Sequence, residues 1–299
     1  MTKRVLSSTE AFDLRQTLQV AVLEALVASR RWEPGDLVFQ GGTSLNLVHG
    51  SPRFSEDLDF LVRSSLDLGF VAASIQARLG ASAWIPADTK LTVTRAKADR
   101  NPHAFDVAIS GASVIGSVRV KVELWQAPET ALKAVQVTVA QVRLVAGPAA
   151  AAQAFVPSAT TTEIHADKVF ALAARPYLKP RDVFDLHWLR MREPTLECTA
   201  HDLALRLATY PNESAAGWIA KAAVRLDELA SQGVAVGRDL ARWLPSSWPL
   251  RASDVAAMLA TSSQALRQGV SEMQTLLPTP LPTPLPTPVP TTVRRKARK

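Results

Sequence analysis

The residues best suited to chemistry lie in Gln40-Gly41-Gly42-Thr43-Ser44-Leu45 and, shortly after, Arg53-Phe54-Ser55-Glu56-Asp57-Leu58-Asp59-Phe60. The run 58–62 reads as a strand, and in a strand residues two apart share a face. Asp57 and Asp59 therefore project side by side, while Leu58 and Phe60 turn into a core. Adjacent carboxylates repel each other and require a neutralising partner. Mg2+ suits this role, because it takes one or two carboxylates together with phosphate oxygens and keeps several waters. A pair of such ions can hold both the entering and the departing oxygen of an in-line displacement at phosphorus. Gly41-Gly42 lets backbone approach a phosphate closely, the start of the following helix offers unpaired N–H groups, and Thr43 and Ser44 add hydroxyl donors. Asp-x-Asp and Gly-Gly are each common. Their order, with Arg53 and Ser55 between them, carries the specificity.

A third acid is expected from a neighbouring strand. Val118, Val120, Val122 and Leu124 alternate with Arg119, Lys121, Glu123 and Trp125, the period-two pattern of a strand with one buried face. Glu123 lies on the polar face and is preferred as the third ligand; Asp106, in a strand candidate at 104–109, is the competitor.

The elements that must position these groups follow from the same patterns. Ser7 and Glu10 stand at capping-box spacing, ahead of an amphipathic helix running to Ser29 through Phe12, Leu14, Leu18, Val22 and Leu26. Strands are expected at 37–40, 58–62, 91–95, 104–109, 116–125 and 141–145, with helices at 41–48 and 66–79. From Thr162 the character changes, and 162–175, 181–191, 199–209, 213–231 and 253–275 all read as helices. A mixed first half and an all-helical second half predict an α+β chain, divided into an α/β part at 1–157 and a helical part at 158–276. Beyond these, 277–292 repeats Leu-Pro-Thr-Pro. Proline at alternate positions removes backbone donors, so an extended polyproline-type tail is expected over 277–299, ending in a basic cluster.

Charge and composition exclude several classes. The formal net charge is +7, and Arg294, Arg295, Lys296, Arg298 and Lys299 supply five of those charges, leaving +2 for the rest. Net charge alone therefore does not mark the body as a basic clamp for nucleic acid. Cys198 is the only cysteine, so neither an internal disulfide nor a cysteine-rich zinc site is available. The histidines His49, His103, His165, His187 and His201 are scattered and fit no His-Glu-x-x-His spacing. No apolar run is long enough for a transmembrane helix, and residues 1–10 lack an apolar leader core, so a cytoplasmic protein without membrane attachment is expected.

Gly41-Gly42-Thr43-Ser44-Leu45 through Arg53-x-Ser55-Glu56-Asp57-Leu58-Asp59-Phe60 resembles the first signature of the AbiEii/AbiGii nucleotidyltransferase-toxin family, within the polymerase-β-like nucleotidyltransferase superfamily. Ile164-His165-Ala166-Asp167-Lys168 through Arg175 is similar to that family's lysine-bearing helix. Arg181-Asp182-Val183-Phe184-Asp185 is similar to its Arg-Asp-x-x-Asp signature. The matches run from 37 to 189 and are loose beyond Met191. The resemblance implies a polymerase-β-like core and an NTP-dependent nucleotidyltransferase. Asp57, Asp59 and Glu123 would hold Mg2+, two ions in all, although Glu123 stands where an aspartate is more usual. Gly42, Thr43, Ser44, Arg53, Ser55 and Lys168 would border the nucleotide, and Asp182 would act as a base or fix the lysine and acceptor. It further implies a toxin of a toxin–antitoxin or abortive-infection system, with a winged-helix antitoxin as partner and the 3′ end of tRNA as acceptor. A protein or small-molecule acceptor is the alternative, as is a non-catalytic module that binds NTP or RNA. The bland reading of the last signature is an exposed Arg181–Asp185 pair at i, i+4.

Overall fold

The computed structural model describes residues 4–81, 89–95, 100–111, 114–142 and 155–277. Along the chain the elements are β1 (Arg4–Val5), α1 (Ser8–Val27), β2 (Leu37–Gln40), α2 (Gly41–Leu47), β3 (Leu58–Arg63) and α3 (Val71–Gly80). Next come β4 (Thr89–Arg95), β5 (His103–Gly111), β6 (Val114–Ile115), β7 (Val118–Ala127), α4 (Glu129–Ala134), β8 (Val137–Gln141) and β9 (Phe155–Ala159). The rest is helical: α5 (Thr161–Ala174), α6 (Pro180–Arg192), α7 (Ala200–Thr209), α8 (Ala215–Ser231), α9 (Gly233–Leu240) and α10 (Ala252–Gln274).

One seven-stranded mixed sheet, in the order β4-β5-β7-β3-β2-β9-β8, organises the molecule. The central strands β3 and β7 run parallel, and β2 lies antiparallel to β3. The alternation seen in the sequence separates two cores. Val118, Val120, Val122 and Leu124 of β7 join Leu58, Phe60 and Val62 of β3 in a core shared with α1 and α3. On the opposite face Val38, Leu61 and the partly buried Trp125 pack into the core of the helical half. The part of this face that carries Asp59, Leu61, Glu123 and Trp125 is therefore turned toward the helices, while Arg119 at the start of β7 faces solvent. Phe39 and Phe60 stack with ring centroids 5.0 Å apart, and this pairing beneath the strand holds the acids on its other side.

Several local expectations hold in detail. Ser7 caps α1, and Glu10 closes the reciprocal capping box. Other expectations shift. The helix expected from Leu66 begins at Val71, because Asp67 accepts the backbone N–H of Gly69 at 2.8 Å and makes a side-chain turn there. The strand expected at 141–145 is instead β8 at Val137–Gln141, and 143–145 lies outside the described residues. Neither α4 nor α9 was expected; α9 carries Gly233 and Gly237, which argue against a helix by propensity. β9 was also missed, since Pro157 within it argues against a strand. The division suggested after residue 157 falls inside β9, which pairs with both β2 and β8. Beyond Leu277 the proline-rich run and the basic cluster lie outside the described residues. Among the described residues no helix is long and apolar enough to cross a membrane.

Phe60 is fully buried, so Phe60→Ala is expected to cost about 3–5 kcal/mol in urea unfolding. A loss below about 1 kcal/mol, the ordinary surface range, would show that this face of β3 is not the core face.

Candidate active site

The parity of β3 assembles the acids. Gln40, Asp59 and Glu123 lie in register across β2, β3 and β7. Residues directly paired in a sheet share a face, and Asp57 enters the same cleft just ahead of β3. Asp57, Asp59 and Glu123 all line a cavity of about 650 Å³ between the sheet and the helices. Asp106 pairs in register with Lys121 and contacts Arg119 at 3.5 Å, outside that cavity. The geometry thus groups Glu123, not Asp106, with the aspartates.

Electrostatics mark these acids as undercompensated. Burial, then the charges of Asp57 and Glu123, push Asp59 up to about 7. Burial, then Glu123, also raise Asp57. Glu123 is drawn to the ammonium of Lys121. Among the described residues no three His, Cys, Asp or Glu side chains are already converged on a metal position. The donor set still fits Mg2+: hard carboxylate oxygens in mutual repulsion, too few to form a complete cage, as this ion accepts when phosphate supplies the remainder.

The glycine bend serves close approach. Gly41 has φ +77, in the left-handed region, and a Cβ there would lie 2.5 Å from Asp59 Oδ2. A Cβ on Gly42 would collide with the Arg53 guanidinium and sit 3.0 Å from Ser55 Oγ. The flanking hydroxyls are used internally. Thr43 donates to the carbonyl of Asp57. The Ser44 hydroxyl is fully buried, 2.6 Å from Ser158 Oγ. The resemblance implies direct contact of these two side chains with phosphate; here both are buried and hydrogen-bonded within the protein, and neither lines the cavity. Gln19 of α1 donates to the carbonyls of Ser55 and Glu56 at 2.8 and 3.1 Å, steadying the chain that leads to Asp57.

The largest departure from expectation concerns Arg53. Its guanidinium is buried and forms a two-pronged pair with Asp185, Nε to Oδ1 at 2.6 Å and Nη2 to Oδ2 at 2.8 Å. Lys168 Nζ lies 2.7 Å from both Asp185 Oδ2 and Asp182 Oδ1, and Arg175 holds Asp182 Oδ2 at 3.0 Å. The result is a buried chain of alternating charge, Arg53–Asp185–Lys168–Asp182–Arg175. Burial alone would raise Asp182, but Lys168, Arg175 and Lys179 outweigh it and hold the carboxyl below its ordinary range. A carboxylate so stabilised is a poor base. Of the two roles implied for Asp182, the geometry therefore favours fixing Lys168. The bland pairing of Arg181 with Asp185 does not occur; Arg181 instead stacks over Trp243 at 4.3 Å.

The far wall of the cleft is aromatic. Trp125 and Tyr210 have ring centroids 5.1 Å apart, and Phe170 stacks on Tyr210 at 5.8 Å. The family model for the nucleotidyl transferase AbiEii toxin, type IV TA system, matches residues 24–247, which span both the acid strand and the cationic helices. The chain belongs to this family. It is a nucleotidyltransferase toxin of a type IV toxin–antitoxin system. No curated protein matches its sequence. Solved structures share its fold, two of them as follows. JHP933 from Helicobacter pylori is 16% identical with a TM-score of 0.51, covering 91% of this chain and 97% of its own. MenT4, a nucleotidyltransferase toxin from Mycobacterium tuberculosis H37Rv, is 17% identical with a TM-score of 0.52, covering 90% of this chain and 86% of its own.

In this AbiEii-family chain, Asp185, Arg175, Lys179, Trp125 and Tyr210 border or brace the cleft without having been singled out for those roles from sequence. A signal existed for two of them: Arg175 lies on the helical face of Lys168, and Asp185 closes the Arg-Asp-x-x-Asp signature. No local signal marks Trp125 or Tyr210.

Asp185→Asn leaves Arg53 and Lys168 buried with reduced counter-charge, and is expected to cost about 3–5 kcal/mol in urea unfolding. Because the folded-state pKa values of Asp182 and Asp185 are lowered, the network's stabilisation is complete above the ordinary carboxylate range and is lost as pH falls from there through the lowered folded-state values. The gap between wild type and Asp185→Asn should therefore narrow as unfolding is repeated at progressively lower pH. A gap that stays constant down to acid unfolding would mean that Asp185 is not ionised as drawn.

Proposed function

We propose that this chain transfers a nucleotide from an NTP to an acceptor hydroxyl, with the 3′ end of tRNA as acceptor. The bond formed joins the acceptor oxygen to the α-phosphorus; the bond broken joins that phosphorus to the β-phosphate bridge, and pyrophosphate departs. Asp57 and Asp59 would hold two Mg2+, with Glu123 as the flanking third acid. Bound there, Mg2+ would neutralise the carboxylates and the phosphate charge. Under this reading the α/β part, 1–157, supplies the acids, and the helical part, 158–276, supplies the cations that face them. Gly41 and Gly42 let Asp59 and the Arg53 guanidinium close in at the bend beside the phosphates, and Trp125 with Tyr210 offers an aromatic surface to a base.

The observation that carries this reading is the register row that sets Asp59 against Glu123, with Asp57 beside them, opposite a cationic helical wall in one cleft. Positioning and a preformed field are what nucleotidyl transfer requires of a protein. The chain would act in the cytoplasm, in an abortive-infection setting, restrained by a winged-helix antitoxin.

The test is incubation with each α-labelled NTP, Mg2+ and total tRNA. Asp57→Ala and Asp59→Ala are each expected to lower label transfer by about three orders of magnitude, or about 4 kcal/mol of barrier. Wild type that labels tRNA no better than Asp57→Ala would end the tRNA proposal. Label appearing instead on protein or a small molecule would move the acceptor and keep the chemistry.

A further inference from the structure

Positive charge around the cleft is of two kinds. Lys168, Arg175 and Arg53 are committed to Asp182 and Asp185. Arg181 is stacked over Trp243. Lys168, Arg175 and Lys179 all line both the large cavity and a smaller adjoining one of about 40 Å³, but Lys179 differs in its partners. Its ammonium makes no ion pair and no hydrogen bond among the described residues. It stands at the N-cap of α6, at the end of the short connection from Arg175.

The smaller cavity is lined wholly by glycine, serine and charged residues, among them Gly41, Gly42, Ser55 and Asp59. No aromatic or aliphatic side chain borders it, whereas the large cavity carries the Trp125–Tyr210 wall. A ligand with an aromatic base and an anionic tail would therefore lie across the acids, with its tail toward the small cavity. Asp182 acts on Lys179 only at longer range; a half-buried ammonium without a direct ion pair or hydrogen bond is unfavourable, and anionic oxygens delivered by such a tail would relieve it. Burial already pushes Lys179 down to about 8, opposed by Asp182 and reinforced by Arg175 and Arg181.

We infer that Lys179, rather than the buried Lys168, is the lysine that contacts the phosphate chain of the bound triphosphate. This rests on the nucleotidyl-transfer reading and adds a specific contact to it. Lys168 then serves as a positioning residue, holding Asp182 and Asp185 in place, while Lys179 touches substrate.

The experiment is equilibrium dialysis of the full chain with labelled NTPs and the matching nucleoside monophosphates in Mg2+, for wild type, Lys179→Met and Lys179→Arg. Lys179→Met is expected to weaken triphosphate binding about tenfold or more, the scale of losing one charge-assisted contact. Monophosphate affinity should barely change. Lys179→Arg should keep most triphosphate affinity, and both variants should melt close to wild type, since no ion pair is lost. Lys179→Met that binds triphosphate like wild type, or loses both ligands equally, overturns the assignment and leaves nucleotidyl transfer standing. Lys179→Arg that falls to the level of Lys179→Met also overturns it, because shape rather than charge would then explain the loss. Wild type that binds no triphosphate of any base defeats the underlying reading, and the role of Lys179 with it.

Discussion

Everything in the cleft depends on the buried pairing of Arg53 with Asp185. These residues come from distant parts of the chain, one from the loop ahead of the acid strand and the other from α6. Taking such charges out of water is expensive, and it is compensated only when geometry and further hydrogen bonds are good. Here both oxygens of Asp185 are used, Lys168 extends the pairing to Asp182, and Arg175 terminates it. The stability gained is of less consequence than the position secured. The network sets how close the helical wall stands to β3, and it explains why Gly42 must lack a side chain: the Arg53 guanidinium occupies the space a Cβ would take.

The cleft that results separates charge by element. Carboxylates gather on the sheet, where Asp59 is pushed up by burial and by its neighbours. Cations gather on α5, on α6 and in the connection between them, and most are internally satisfied. A field fixed in this way requires no rearrangement when a polyanion enters, and such preorganisation is where enzymes of this chemistry gain most. The aromatic pair Trp125 and Tyr210 closes the other end, joined by the Trp125 indole N–H donating to the Thr209 carbonyl at 3.0 Å.

Departures from the sequence reading share one cause. Local spacing identifies neighbours along an element, so Arg181 and Asp185 look like partners at i, i+4. Asp185 instead meets Arg53 and Lys168, because α6 packs with α5 and against the signature loop. Ser44 looks like a phosphate donor by its place after Gly-Gly, yet the parallel neighbour β9 brings Ser158 to it. Pro157 hid that strand from a propensity argument, so the partner of Ser44 could not have been anticipated.

Read on its own, the chain already specified which residues share a face. Period-two alternation placed Leu58, Phe60 and the β7 valines in one layer and Asp59 and Glu123 in the other, and the Ser7–Glu10 capping box marked the start of α1. Steric and hydrogen-bonding rules acting over a few residues suffice for that. Folding in three dimensions decided what each face meets: that the acid face is covered by helices, that Arg53 reaches α6, and that Lys179 stands beside the acids without a direct ion pair. Those outcomes depend on how distant apolar surfaces pack together, and no window along the chain contains that information.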